Sequence, residues 1–172
     1  AARLSQCKNN LKLICLARHN YMETTGVLPP SFCTDGPTGT GGGEWSIHAR
    51  ILPFLEQGNA SNNVAFKDAY ESTDGISGMR VPTYLCPNEP NDRRRDGSTP
   101  HYPTNYGFNA GTWEVQDPAT GRGGDGAFYP NSKLQPRDFL DGMSNTLCFA
   151  EVKAYTPYVR DCVDGPAVQP ST

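Results

Sequence analysis

The chain has 172 residues, 19% of them charged, and a net charge of −3. That length suits one domain with a real core. The weakly acidic balance leaves no basic patch of the kind that nucleic acid selects. No stretch reaches the ~18 apolar residues of a membrane span. Gly (18) and Pro (15) together make about a fifth of the chain, against a usual ~12%, so short elements joined by long loops are expected.

The chain opens in a helical pattern. Leu4, Cys7, Leu11, Ile14, Cys15, Tyr21 and Met22 recur at three-, four- and seven-residue steps, which places an apolar stripe on one helix face. The spacing predicts a helix over 1–25, about 36 Å long at 1.5 Å per residue. Gly26 and the pair Pro29-Pro30 supply its stop. The pattern begins without a cap or a preceding turn, so an upstream segment is expected to have been removed.

Residues 33–44, "CTDGPTGTGGGE", form a loop. They lack the GxxxxGK[ST] pattern of a phosphate cradle. "WSIHARILPFLEQ" puts Trp45, His48, Ile51, Leu52 and Leu55 at helical spacing, with Pro53 at a kink or first turn. His48 is expected to pack or cap rather than bind a ligand. "VPTYLCP" (81–87) reads as a short or edge strand between prolines. A polar loop follows, in which Arg93-Arg94-Arg95 is bracketed by Asp92 and Asp96 and reads as solvated. "TNYGFNAGTW" (104–113) suits a strand or hairpin arm, and "DGAFY" (125–129) starts another strand. "KLQPRDFLDGMSNTLCFAEV" (133–152) reads as an extended entry, a turn and a strand carrying Leu147, Phe149 and Val152. The tail is Pro-rich and weakly patterned. The sum is one α+β domain over 1–172: a helix at 1–25, loops, a short helix and several short antiparallel strands over 26–152, and a tail at 153–172.

Six cysteines stand at 7, 15, 33, 86, 148 and 162, with no CxxC spacing. A zinc ribbon or thioredoxin motif is therefore not indicated. Wide spacing and an even number favour disulfides and an oxidising compartment, with fifteen pairings open.

Catalytic signals are absent. Ser144 lies in "GMSNT", not in GxSxG. His19, His48 and His101 fall in no nucleophile motif, so an enzyme is not expected. Asp138, Asp141, Ser144 and Asn145 offer the oxygen ligands that calcium takes, although the spacing is not that of an EF-hand. The competing reading is a tight turn at Asp141-Gly142 with local side-chain bonds. "GGDG" (123–126) carries the same ambiguity. Trp45, Trp113, Tyr102, Tyr106 and Tyr129 offer rings that would stack on a sugar, or they fill the core.

Taken together and in order, "QCKNNLKLICLARHNY", "LPPSF", "WSIHARILPFLEQGN", "VPTYLCPNEP", "NYGFNAGT", "DGAFY" and "RDFLDGMSNTLCFAE" resemble segments of the large prepilin-like family found mainly in planctomycetes. Its members carry a type IV prepilin leader and are similar to the pseudopilin G of general (type II) secretion. The resemblance implies a type IV pilin-like fold, with the long N-terminal helix laid on a small antiparallel sheet, and it implies export. In that family an apolar, membrane-spanning segment precedes the "CKNNLK" stretch, so membrane contact is expected only through such an upstream helix. The ending "DGPAVQPST" departs from the family's usual C-terminal stretch. Cys7 and Cys86 both sit inside family motifs, which makes a Cys7–Cys86 bridge from helix to sheet the preferred pair. Fold-related pseudopilins bind calcium in C-terminal loops. The resemblance therefore points possible Ca2+ to the Asp138/Asp141 turn in a structural role.

Two functions follow. The first is an extracellular, cell-surface or periplasmic structural subunit that self-associates into a fibre or pseudopilus, with itself and other pilin-like or secretion components as partners. The second is an extracellular glycan- or solute-binding module using Trp45, Trp113 and Tyr106. A deep aromatic pocket would favour the second.

Overall fold

A computed structural model describes residues 2–33, 44–55, 64, 66, 68–69, 76–97, 99–113, 115–117 and 119–155. The expected loop at 34–43, Cys162 and the tail from 156 lie outside them.

Helix α1 runs Ala2–Thr25. It ends where Gly26 turns left-handed at φ +78° and donates its N–H to the Met22 carbonyl at 2.8 Å. That closing turn is one that glycine adopts without steric cost. Cys7, Ile14 and Ala17 form the buried line of the helix, joined by Asn10 and Arg18. Two details depart from the sequence stripe. Leu4, assigned to it, is 53% exposed. Asn10, a polar residue, is buried, because its amide donates to the Leu85 carbonyl at 2.8 Å and a satisfied amide tolerates burial.

The rest of the chain packs against α1. "LPPSF" runs extended, with Leu28 N–H on the Leu134 carbonyl and Ile47 N–H on the Ser31 carbonyl. Helix α2, Ile47–Ile51, continues into a 3-10 turn, Leu52–Phe54. Pro53 sits in the first turn of that segment, where its missing N–H costs nothing. Ile47, Ile51 and Leu52 point inward, and Phe54 meets Tyr21 of α1 edge-on at 6.1 Å.

Strands β1 (Tyr106–Phe108) and β2 (Phe149–Glu151) pair antiparallel, with Tyr106 opposite Glu151 and Phe108 opposite Phe149. The fold is thus one long N-terminal helix with a short helix and a two-stranded antiparallel sheet among the described residues. Tyr106, Phe128 and Phe149 fill the core between them.

Two expected strands take other forms. In "VPTYLCP", Pro82–Tyr84 is a 3-10 turn between extended Val81 and Leu85. Pro82 holds its φ in the helical range and offers no ladder donor, and Tyr84 N–H closes onto the Val81 carbonyl at 2.9 Å. "DGAFY" gives one bond to β1's continuation, Phe128 N–H to the Asn109 carbonyl at 3.1 Å, and the Tyr129 carbonyl accepts the Ser31 N–H at 3.3 Å, instead of a ladder. Gly126 lies flat against the Ala110 carbonyl and Gly111 nitrogen, where a Cβ would collide with backbone. The segment crosses β1's continuation too closely to run beside it as a strand.

A disulfide joins Cys7 of α1 to Cys86, across 79 residues of sequence. It is the pair the resemblance favoured. Among the described residues no helix is long and apolar enough to cross a membrane.

Candidate functional site

Two regions place chemistry-bearing side chains together. The first is a cavity of about 320 Å³ between α2 and the Pro82–Tyr84 turn. Trp45, Leu52, Ile76, Met79 and Val81 give it an apolar wall, and His48, Ser77, Tyr84, His101 and Tyr102 supply polar edges. Trp45 is buried there, its indole N–H donating to the Asp68 carbonyl at 3.0 Å. His48 Nε2 donates to the Tyr106 carbonyl at 2.7 Å. Its ring meets Tyr84 edge-on at 5.0 Å and Phe149 at 5.9 Å. Enclosure of this ring lowers its pKa below the ordinary histidine value, and the bond to Tyr106 opposes that shift only in part. His48 therefore packs as a neutral ring, as its sequence context suggested. The Tyr84 hydroxyl donates to the His48 carbonyl at 2.6 Å, and burial raises its pKa well above the ordinary range.

The three aromatic residues expected to hold a ligand do not converge. Trp45 lines the cavity. Trp113 is 46% exposed in the 109–113 loop. Tyr106 is fully buried, with its hydroxyl donating to the Cys7 carbonyl at 3.1 Å. It cannot stack on a ligand, because its ring is part of the core beneath α1. Tyr102, on the cavity rim, donates its hydroxyl to Asp92 at 2.6 Å.

The Asp138/Asp141 stretch is built as a pair of short turns. Pro136–Asp138 and Met143–Asn145 are 3-10 segments. Asp138 accepts the Gln135 N–H at 2.7 Å, closing a capping box. Asn145 donates to the Asp141 carbonyl at 2.7 Å, and Gly142 takes φ +80° between them. Asp138 and Asn145 thus serve local backbone groups, while Asp138 and Asp141 also line one surface pocket of about 570 Å³ together with Asp125. Among the described residues, the metal-type side chains that do meet are Cys7, Cys86 and Glu151, and the two sulfurs are already bonded to each other. In "GGDG", Asp125 takes the Thr112 N–H at 2.8 Å and its hydroxyl at 2.6 Å, fastening the 111–126 loop. These bonds lower its pKa, the hydroxyl most.

The second region was not legible in the sequence. Asn105, 2% exposed, sits beside the disulfide at the entry to β1. Its Oδ1 accepts the Cys86 N–H at 3.0 Å. Its Nδ2 donates to Glu89 at 2.7 Å and to the Val152 carbonyl at 3.1 Å. Glu89 also accepts the Ala154 N–H at 3.0 Å, and this bond is the first cause of its lowered pKa. Three chain segments, 86–89, 105 and 152–154, meet at this pair. Asn105 in "TNYGFN" gives no hint of it, because its partners lie 16 to 47 residues away.

A family model described as "Protein of unknown function (DUF1559)" matches residues 1–171. No curated protein and no solved structure matches the chain.

Proposed function

The chain belongs to this family of planctomycete proteins (DUF1559), and on that premise we propose that it is a pilin- or pseudopilin-like structural subunit that self-associates through the outer face of α1. One observation carries the reading. The inner face of α1 is fastened to the body by the Cys7–Cys86 bond and by Asn10 and Tyr106. The side of the helix turned away from these anchors presents Leu16, 52% exposed, and on its flank Leu13, 39% exposed, three residues apart and therefore neighbours on the helix surface. A second copy of the same face would cover both, as helices packing in a symmetric or helical assembly do. The disulfide supports an oxidising, extracytoplasmic location. Other pilin-like or secretion components would be secondary partners. Calcium at the Asp138/Asp141 turn would add order to that loop without supplying chemistry.

Sedimentation velocity over a concentration series tests this. The wild-type chain shifts to larger species as concentration rises, and Leu13→Glu/Leu16→Glu stays monomeric with an unchanged thermal transition. Identical sedimentation of the two proteins defeats the proposal.

A second reading rests on the cavity. Its size and its apolar wall with few polar edges suit a small solute or a sugar ring. Glycan and small-solute screening by thermal shift, repeated with Trp45→Ala, would support it only where a hit disappears in the variant.

A further inference from the structure

Cys15 and Cys148 face one another where α1 lies over the start of β2. Cys15 stands two turns beyond the Cys7 bridge, and Cys148 is the residue before β2. Both thiols are unbridged and half-buried. They share a hydrogen bond. Arg18, 5% exposed, is a buried neighbour of both. Its Nη2 meets the His19 ring at 3.1 Å. Its Nε and Nη1 have no hydrogen-bond partner among the described residues. A buried guanidinium without a carboxylate is costly, and here its charge acts on the two sulfurs. Arg18 and Cys148 also share the wall of a small crevice with Thr146 and Leu147, and both thiols keep partial solvent exposure.

We propose that Cys15 and Cys148 form a redox site, closing a second disulfide between α1 and β2 by exchange with a small-molecule or protein disulfide. The Cys15 thiolate attacks one sulfur of the donor disulfide, and the donor's other sulfur leaves as a thiolate that takes up a proton. Cys148 then loses its proton to solvent and attacks the Cys15 sulfur of the mixed disulfide, releasing the second donor thiol. One donor disulfide is reduced to two thiols, and two protein thiols become one disulfide.

The order of attack follows from the surroundings. The hydrogen bond from Cys148, helped by Arg18 and opposed by burial, lowers the Cys15 pKa to about 7. The same contact, together with burial, pushes Cys148 up. Half of Cys15 is then thiolate at neutral pH, about fiftyfold more than a thiol at the ordinary 9.0. Thiolate reactivity falls as its pKa falls, which leaves a net gain of about fivefold. The site differs from the Cys7–Cys86 bond, which is already closed and buried.

Non-reducing peptide mapping of the full chain, before and after incubation with glutathione disulfide at pH 7.5, tests the site. The expected result is a peptide linking Cys15 to Cys148 and an intact-mass loss of about 2 Da, reversed by mild reductant while Cys7–Cys86 persists. Cys148→Ala is expected to accumulate a stable glutathione adduct on Cys15, formed more slowly because the activating bond from Cys148 is gone, and Cys15→Ala none on Cys148. The site is overturned if both thiols remain open to alkylation after oxidation, or if either links to Cys33 or Cys162 instead.

Discussion

Replacing Asn105 with alanine removes one side chain and three hydrogen bonds. The bonds are unequal. Glu89 is half-exposed and Val152 is 44% exposed, so water takes over their lost partners and each loss costs about 0.5 kcal/mol. The Cys86 N–H is different. Cys86 is 3% exposed and tied by its disulfide, so its amide cannot move out to find water. An orphaned buried donor costs about 1–3 kcal/mol. The sum is about 3 kcal/mol, or about 6–12 °C in Tm for a chain of this size. Asn105→Asp separates the parts. It keeps the acceptor for Cys86 but sets a carboxylate against Glu89 and the Val152 carbonyl. Like charges at hydrogen-bond distance raise the pKa of the introduced group. That penalty is present at neutral pH and is relieved as pH falls through the raised pKa. Urea denaturation of both variants with the disulfide intact, at pH 7 and pH 5, measures this. Asn105→Asp should recover relative to Asn105→Ala at the lower pH. An Asn105→Ala protein within about 0.5 kcal/mol of wild type would refute the hub, since surface substitutions stay in that range.

Three further outcomes follow from the same geometry. Removing the Cys7–Cys86 bond as a Cys7→Ala/Cys86→Ala pair should cost about 4 kcal/mol by loop-closure entropy, read from the urea midpoint under non-reducing conditions. Burial depresses the pKa of His48, and burial together with Arg18 depresses that of His19. The folded state thus refuses protons that the unfolded chain accepts below about 6.5. Stability should be flat above that value and fall as pH drops toward the lowered folded pKa values. His48→Gln should flatten part of that slope in thermal melts from pH 7.5 to 5, and an unchanged slope would contradict the buried, neutral ring. Asp138→Ala should cost about 1 kcal/mol through loss of its cap. With calcium ordering the turn, the cost should be larger in calcium than in chelator, and an equal cost in both would leave the turn to its local bonds alone.

The helix and the disulfide were readable because their signals are local or come from a motif. A 3.6-residue apolar period and a following glycine are enough to draw α1. The stripe failed at Leu4 and Asn10 because burial there is decided by what lies opposite. Asn10 is inside because Leu85, 75 residues away, offers it a carbonyl. "VPTYLCP" has strand composition, yet Pro82 turns it. The aromatic pattern around Tyr106 was visible, but its meaning was not. A ring that stacks on a sugar and a ring that fills a core carry the same letters, and only the bond to Cys7 tells them apart. The Asn105–Glu89 hub and the Cys15–Cys148–Arg18 group were hidden for the same reason: each joins residues whose chain separation carries no pattern.

Cross-linking mass spectrometry on the native assembly tests the central claim most directly. Lys12 is exposed on α1 beside Leu16, and a Lys12–Lys12 link can form only between two copies. Assembly through the outer face of α1 predicts abundant Lys12–Lys12 links that vanish in the Leu13→Glu/Leu16→Glu protein. An assembly whose links between copies all avoid α1, or a protein that yields no Lys12–Lys12 link at any concentration, would contradict it.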